Sequence, residues 1–159
     1  MSMRTAVVIT VSNRASRGEY ADLSGESLAK GLTALGYEVS GPHVVADSID
    51  LISEQLTVAL ANKTRLIVTT GGTGVSPTDV TPEATAPFIE KKIPGFSEAL
   101  RAHSREKVPT SDLTRGLVGT HGTSLIINLP GSQGAINDGL VIIERLAGHI
   151  LDQLDCKDH

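Results

Sequence analysis

One cysteine, no tryptophan and four other aromatic residues are all that this chain of 159 residues contains of those types, and each shortage removes a class of function. A lone Cys156 rules out an internal disulfide and any structural metal site built on several thiolates. It is also the cysteine usage of a reducing compartment, and the chain reads as cytoplasmic. Tyr20, Tyr37, Phe88 and Phe96 are too scattered to form a stacking platform for single-stranded bases. Positive charge is in deficit, with 14 Lys and Arg against 18 Asp and Glu for a net charge of -4, so a broad basic face for a nucleic-acid backbone is not supported. No apolar run approaches the ~18 residues that span a bilayer. The stretch after residues 1–4 is too short for a secretory apolar region.

What remains is the composition of a globular protein: 40% hydrophobic, 20% charged, mean hydropathy +0.03. The length predicts one domain over residues 1–159, with a single well-buried core. Residues 6–11 (AVVITV) form a β-branched run suited to a strand buried on both faces. Leu28, Leu32 and Leu35 mark an amphipathic helix over 24–35, stopped by Gly36. Residues 43–46 are predicted to end a second strand, which Gly41-Pro42 interrupts or delays. Ile49, Ile52, Leu56 and Leu60 mark the next helix, capped by Asp47 or Ser48. Residues 66–70 (LIVTT) form a third strand, and a long loop then runs to a helix beginning at Thr81 with Pro82 in its first turn. Pro94-Gly95 separates that helix from another over 96–106. Strands are predicted at 115–119, turned back by His121-Gly122, and at 125–129. Ile136, Leu140, Ile143, Ala147, Ile150 and Leu154 define the last helix, with an apolar face that belongs to the core. Strands alternating with helices predict an α/β fold with a mostly parallel sheet covered on both sides.

Four apolar strands end in polar or glycine-rich segments: Ser12-Asn13-Arg14, Asp47, Gly71-Gly72-Thr73-Gly74 and Pro130-Gly131-Ser132. Parallel strands would gather all four on the carboxyl edge, where open α/β sheets bind ligands. The glycines let an anion approach successive backbone N–H groups. Ser132 opens the last helix, whose dipole favours negative charge, and also reads as an ordinary cap. The glycine loop lacks the Lys-Ser/Thr of a P-loop, and Pro77 excludes a dinucleotide-type helix directly after it. No Lys or Arg occurs at 66–90 or 116–144, so a polyphosphate there needs a divalent cation or arginines from elsewhere. Arg14, Arg17 and Arg115 are the candidates for the second role. Asp47 and Asp79 are oxygen ligands of the kind that hold Mg²⁺. Glu83 complements the start of its helix. The histidines (His43, His103, His121, His149 and His159) are scattered and read as structural or solvated. There is no G-x-S-x-G elbow and no H-E-x-x-H motif.

Taken together, Thr69-Thr70-Gly71-Gly72-Thr73-Gly74, the run from Ser76-Pro77-Thr78-Asp79 through Thr81-Pro82-Glu83, Ile93-Pro94-Gly95-Phe96 and Asn128-Leu129-Pro130-Gly131-Ser132 resemble the molybdopterin-binding Mog/MoaB family. The likeness extends over residues 4–154. It implies a three-layer αβα sandwich with a mostly parallel mixed sheet, usually as a homotrimer. It also implies binding of molybdopterin, ATP and Mg²⁺, and transfer of AMP to the molybdopterin phosphate with release of pyrophosphate. A downstream molybdate-inserting protein is then an expected partner. The acidic positions of adenylyltransferase members match Asp47 and Asp79. The pterin and nucleotide contacts match Gly71, Gly72, Thr73, Gly74, Pro130, Gly131 and Ser132, and Ser12, Arg14, Ser76, Thr81, Glu83 and Arg115 complete the expected binding set. Three departures stand out. Ser12-Asn13-Arg14 replaces a frequent Ser-Asp-Arg, Thr78 replaces a frequent arginine, and Leu113-Thr114-Arg115 replaces Leu-Ser-Arg. A non-catalytic molybdopterin carrier and, more remotely, a nucleotide-binding regulator share the same expected site.

Overall fold

The computed structural model describes residues 2–157. His159, and Met1 at the head of the stretch read as lacking a leader pattern, lie outside the described residues. Six strands form one sheet in the order β2-β1-β3-β6-β5-β4: β1 (Thr5–Val11), β2 (Glu38–Val45), β3 (Leu66–Thr70), β4 (Lys91–Lys92), β5 (Val118–His121) and β6 (Ser124–Leu129). The first four in that order are mutually parallel, while β5 runs antiparallel to both β6 and β4. Strand side chains alternate between faces, which divides the core in two. Val8, Val68 and Ile127 pack on one side with α2 (Leu23–Ala34), α5 (Pro94–Arg105) and α6 (Gln133–Leu154). Ile9, Ile67 and Ile126 pack on the other with α3 (Ile49–Ala61) and α4 (Thr81–Thr85). The expected three-layer αβα sandwich is therefore present, and the apolar face of α6 is core: Ile136, Ile142, Ile143, Ala147 and Leu151 are buried. No helix among the described residues is long and apolar enough to cross a membrane.

Several local expectations need correction. Of the two expectations for Gly41-Pro42, interruption holds and delay does not: β2 begins at Glu38 and its pairing breaks at these residues. The register steps from Val7↔Ser40 to Ile9↔His43, so Gly41 and Pro42 together oppose Val8 and make a bulge of one extra residue. An edge strand tolerates a proline there because the missing ladder donor faces no partner strand. The helix starting at Thr81 ends at Thr85, where Pro87 turns the chain into a 3₁₀ segment. Pro94 is not a separator but sits in the first turn of α5, where its missing N–H is no loss. The strand predicted at 115–119 lies three residues later, and Gly122-Thr123 forms the turn of the β5–β6 hairpin. A short α1 (Asn13–Ser16) follows β1.

Candidate functional site

All four parallel strands point their carboxyl ends to one edge, with β1 and β3 adjacent at its centre. The chain leaves β1 for one side of the sheet and β3 for the other, the kind of crevice that open α/β sheets use for ligands. Ser12 caps α1 by accepting from the Ala15 N–H at 3.2 Å, and its hydroxyl lies 2.9 Å from the Tyr20 hydroxyl. Arg14, exposed on α1, places its guanidinium 5.2 Å from the centre of the Tyr20 ring, a cation–π distance.

The cap of α3 is Ser48, which accepts from the Leu51 N–H at 3.3 Å. That leaves the Asp47 carboxylate for another use. It accepts from the Asn13 N–H at 3.0 Å, while the Asn13 side-chain carbonyl accepts from the Asp47 N–H at 2.8 Å. Asn13 thus holds the aspartate by a reciprocal clamp that the sequence pattern did not reveal. Burial pushes the Asp47 carboxyl above its ordinary range, and the negative charge of Asp79 pushes in the same direction.

Asp79 closes the other end of the glycine turn, accepting from the Ser76 N–H at 3.0 Å, and the Ser76 and Thr78 hydroxyls lie 3.1 Å apart. Both carboxylates border the same backbone. A β-carbon placed on Gly72 would lie 3.2 Å from Asp47 Oδ1, and one on Gly74 would lie 2.8 Å from Asp79 Oδ2. Gly72 has φ +68° and would also drive a β-carbon into Thr81 Oγ1, so both conformation and space require glycine. Thr81 is fully buried and donates its hydroxyl to the Gly71 carbonyl at 2.9 Å, which ties α4 to the turn.

Arg115 is committed to the protein rather than held free. Its Nε donates to the Gly74 carbonyl at 2.8 Å, one Nη to the Asp79 carbonyl at 3.0 Å, and both Nη groups to the Glu83 carboxylate at 2.8 and 3.1 Å. The hydrogen bond from Arg115 holds Glu83 below the usual carboxylate range. These two residues brace the loop that carries Asp79.

Two cavities meet over the turns. One, of about 370 Å³, lies between the Gly71–Gly74 backbone, Asp79, the Pro130-Gly131-Ser132 segment and a wall from α5 and α6. The second, of about 460 Å³, lies beside Ser12, Tyr20, Asp22 and Ser24. Gly71 and Gly131 border both. A β-carbon on Gly131 would lie 3.3 Å from the Gly71 α-carbon, so bare backbone alone forms the ridge between them. Ser132 caps α6 by accepting from the Ala135 N–H at 3.1 Å. Asp79 and Ser132 share the first cavity; Asp47 stands behind Gly72 and does not line either one. Arg17, which pairs with Glu19 at 3.1 Å, lines neither.

Sequence reasoning missed most of the first cavity's outer wall. Leu100, Arg101 and Ser104 of α5, Val108, a 3₁₀ turn at Pro109–Leu113 and Asp138 of α6 all contribute. Asp138 is 7% exposed and accepts from Ser104 Oγ at 2.7 Å and Lys107 Nζ at 3.0 Å. Burial acts to raise its pKa, and the bonds from Ser104 and Lys107 more than reverse this, so it lies below the ordinary value. The apolar repeat of the last helix gave no signal for it, because Asp138 falls between the repeat positions Ile136 and Leu140.

Among the described residues, no group of three or more His, Cys, Asp or Glu side chains converges to hold a metal. A cation bound through two carboxylates and substrate phosphates fits the chemistry of Asp47 and Asp79, since Mg²⁺ is commonly held by one or two carboxylates and completes its octahedron with phosphate and water.

An αβα layer with glycine turns and two acidic side chains at the carboxyl edge of a mostly parallel sheet defines an open α/β protein with its crevice at that edge. The family model "probable molybdopterin binding domain" matches residues 7–147, and the chain belongs to that family. A molybdopterin adenylyltransferase of Helicobacter pylori is 42% identical over 137 residues, covering 84% of this chain and 77% of the relative. Molybdenum cofactor biosynthesis protein B of Staphylococcus carnosus is 34% identical over 152 residues, covering 92% and 88%. The solved structure of the molybdopterin biosynthesis Mog protein from Mycobacterium ulcerans superposes with a TM-score of 0.90 at 43% identity, covering 95% of this chain and 99% of that one.

Proposed function

We propose that this chain is a molybdopterin adenylyltransferase of molybdenum cofactor biosynthesis. A terminal oxygen of the molybdopterin phosphate attacks the α-phosphorus of ATP, the bond from that phosphorus to the bridging oxygen breaks, and pyrophosphate leaves. The observation that carries the reading is the placement of Asp47 and Asp79 on either side of one glycine turn whose backbone lines both cavities. No protein nucleophile is needed, because a phosphate monoester is largely anionic near neutrality with a second pKa of about 6.

The residues' work is positioning and charge dispersal. The 71–74 and 130–132 turns present backbone to the phosphates, the dipole of the 22-residue α6 favours negative charge at Ser132, and Arg115 with Glu83 keeps Asp79 in place. Asp47 and Asp79 would hold Mg²⁺, which supplies neutralisation of the phosphate oxygens when bound. Thr73 and Ser12, which line the first and second cavity, complete the binding set, while Arg14 and Ser76 border the turns without lining either cavity.

A carrier that captures the pterin without reaction is the second reading. It is favoured by Thr78 standing where relatives often have arginine, and by the pairing of Arg115 with Glu83. The test is incubation with ATP, Mg²⁺ and molybdopterin, followed by assay of pyrophosphate and adenylylated pterin. Equal amounts of both are expected; tight pterin binding without either product would establish the carrier, and ATP binding indifferent to pterin a nucleotide-binding regulator. The proposal extends to residues 1–159 acting as one cytoplasmic domain, to a homotrimer testable by sedimentation at two concentrations, and to delivery of the product to a molybdate-inserting protein.

A further inference from the structure

The parallel ladder between β1 and β2 continues past the point where backbone pairs with backbone. Its last main-chain rung is the Ser12 N–H donating to the Val45 carbonyl at 2.9 Å. One step further, where α1 and α3 lead the chain away from the two strands, side-chain oxygens take over the accepting role. The Asn13 N–H donates to Asp47 Oδ2 at 3.0 Å, and the Asp47 N–H donates to Asn13 Oδ1 at 2.8 Å. Only the oxygen of a side-chain amide can answer an N–H, so this partner fixes which way Asn13 points. The clamp also decides which carboxylate oxygen remains. Oδ2 faces Asn13, whereas Oδ1 lies on the side of the glycine turn, 3.2 Å from a β-carbon placed on Gly72. Asp79 is divided in the same way, its Oδ2 taken by the Ser76 N–H at 3.0 Å. Among the described residues, each aspartate therefore keeps one oxygen that accepts from no other residue.

Divalent cations differ in what they require of such a pair. Mg²⁺ demands near-ideal octahedral geometry, keeps several waters and is held by one or two carboxylates with phosphate, while Ca²⁺ gathers about six to eight oxygens in a flexible shell that accepts carboxylates through both oxygens. A carboxylate pinned at one oxygen suits the first. A carboxylate free to rotate and offer both suits the second. Partners that hold a metal-binding side chain in place matter nearly as much as the side chain itself. We propose that Asn13 is a positioning residue that fixes Asp47 as a one-oxygen ligand and so makes the site select Mg²⁺ over Ca²⁺. The inference rests on the adenylyltransferase reading for the presence of a cation, but its test does not require turnover.

The probe is Mn²⁺ on the full chain with no nucleotide present, its bound fraction read by water-proton relaxation while Mg²⁺ or Ca²⁺ is added to displace it. Mg²⁺ is expected to displace Mn²⁺ from the unaltered protein at a concentration about fivefold below that of Ca²⁺. Asn13→Ala removes the acceptor for the Asp47 N–H and leaves the backbone N–H of residue 13 in place. Mn²⁺ affinity should fall about tenfold, and the two displacement midpoints should come within about twofold of each other. Asn13→Asp restores an acceptor and adds a charge. That charge acts alike on both competing cations, so the ratio of midpoints should return to the value of the unaltered protein even where the affinity itself changes. A role in packing alone would lower the thermal midpoint of Asn13→Ala without moving the ratio. Asn13→Ser, too short to reach the Asp47 N–H, repeats the alanine test if that variant fails to fold. No Mn²⁺ bound by the unaltered protein, equal displacement by Mg²⁺ and Ca²⁺, or one ratio shared by all variants overturns the assignment. A ratio that follows Asn13 with no pyrophosphate released in the complete assay would overturn adenylyl transfer and leave the positioning role standing; pyrophosphate release with a ratio indifferent to Asn13 would do the reverse.

Discussion

At the amino end of the parallel strands, Arg4 reaches Asp152 at 2.6 Å and Asp155 at 3.1 Å, and Arg65 reaches Asp155 at 2.8 Å. At the carboxyl end, Asp47 and Asp79 accept from the backbone N–H groups of Asn13 and Ser76. The first arrangement staples the starts of β1 and β3 to the last turn of α6 with opposite charges. The second orients two carboxylates with neutral dipoles and leaves their charge for something else. Arg115 sharpens the contrast, since it stands near Asp79 but takes the Asp79 carbonyl and the Glu83 carboxylate. Arginines answer Asp152 and Asp155 at one end, whereas backbone N–H groups answer Asp47 and Asp79 at the other.

The most severe way to break this contrast is Asp79→Asn. Turnover should fall tenfold or more, equivalent to at least ~1.4 kcal/mol of barrier, with the thermal midpoint little changed; unaltered turnover would remove Asp79 from the mechanism. Gly72→Ala should damage both properties. A left-handed conformation costs a β-carbon-bearing residue about 1–2 kcal/mol, and the added methyl presses on Thr81 and Asp47, so urea unfolding should shift to lower concentration as activity drops.

Asp47→Asn separates the two ends more finely. The folded state raises the Asp47 pKa through burial and through Asp79, so the protonated form is favoured. Stability from this group is present below the unfolded carboxylate value of about 3.9 and is lost as pH rises through the higher folded value. The Asn variant should therefore melt above the parent at neutral pH, converge with it in acid, and lose turnover. The smallest effect is expected at the staple. Arg65→Ala should lower the thermal midpoint modestly, with the deficit shrinking in high salt and turnover retained. Hydrogen bonds from Arg4 and Arg65 hold Asp152 and Asp155 below their ordinary range, so the staple's contribution is present above that range and fades as pH falls through the lowered values.

The runs at 6–11, 66–70 and 125–129 were legible because strands buried on both faces leave uninterrupted β-branched stretches. The final helix was legible because 22 residues repeat one apolar stripe several times. Lys91–Lys92 was not, since a two-residue edge strand has no period to read. Gly41-Pro42 misled as to where β2 begins because its local signal is a break, whereas the sheet edge absorbs it as a bulge. At the site, the glycine turns and Asp47 could be read from strand ends, and Asp79 from the long loop that follows β3. The partners could not: Asn13 meets Asp47 across 34 positions, Arg115 meets Glu83 across 32, and Ser104 meets Asp138 across 34. Local pattern shows that a charge exists, and only tertiary packing shows which neighbour answers it.

The contact between Gly71 and Gly131 has one more consequence. If adenylyl transfer runs across it, a partition no wider than a main chain would let a phosphate on one side meet a phosphate on the other. Such a partition works through thinness, and even a single methyl would make it a barrier.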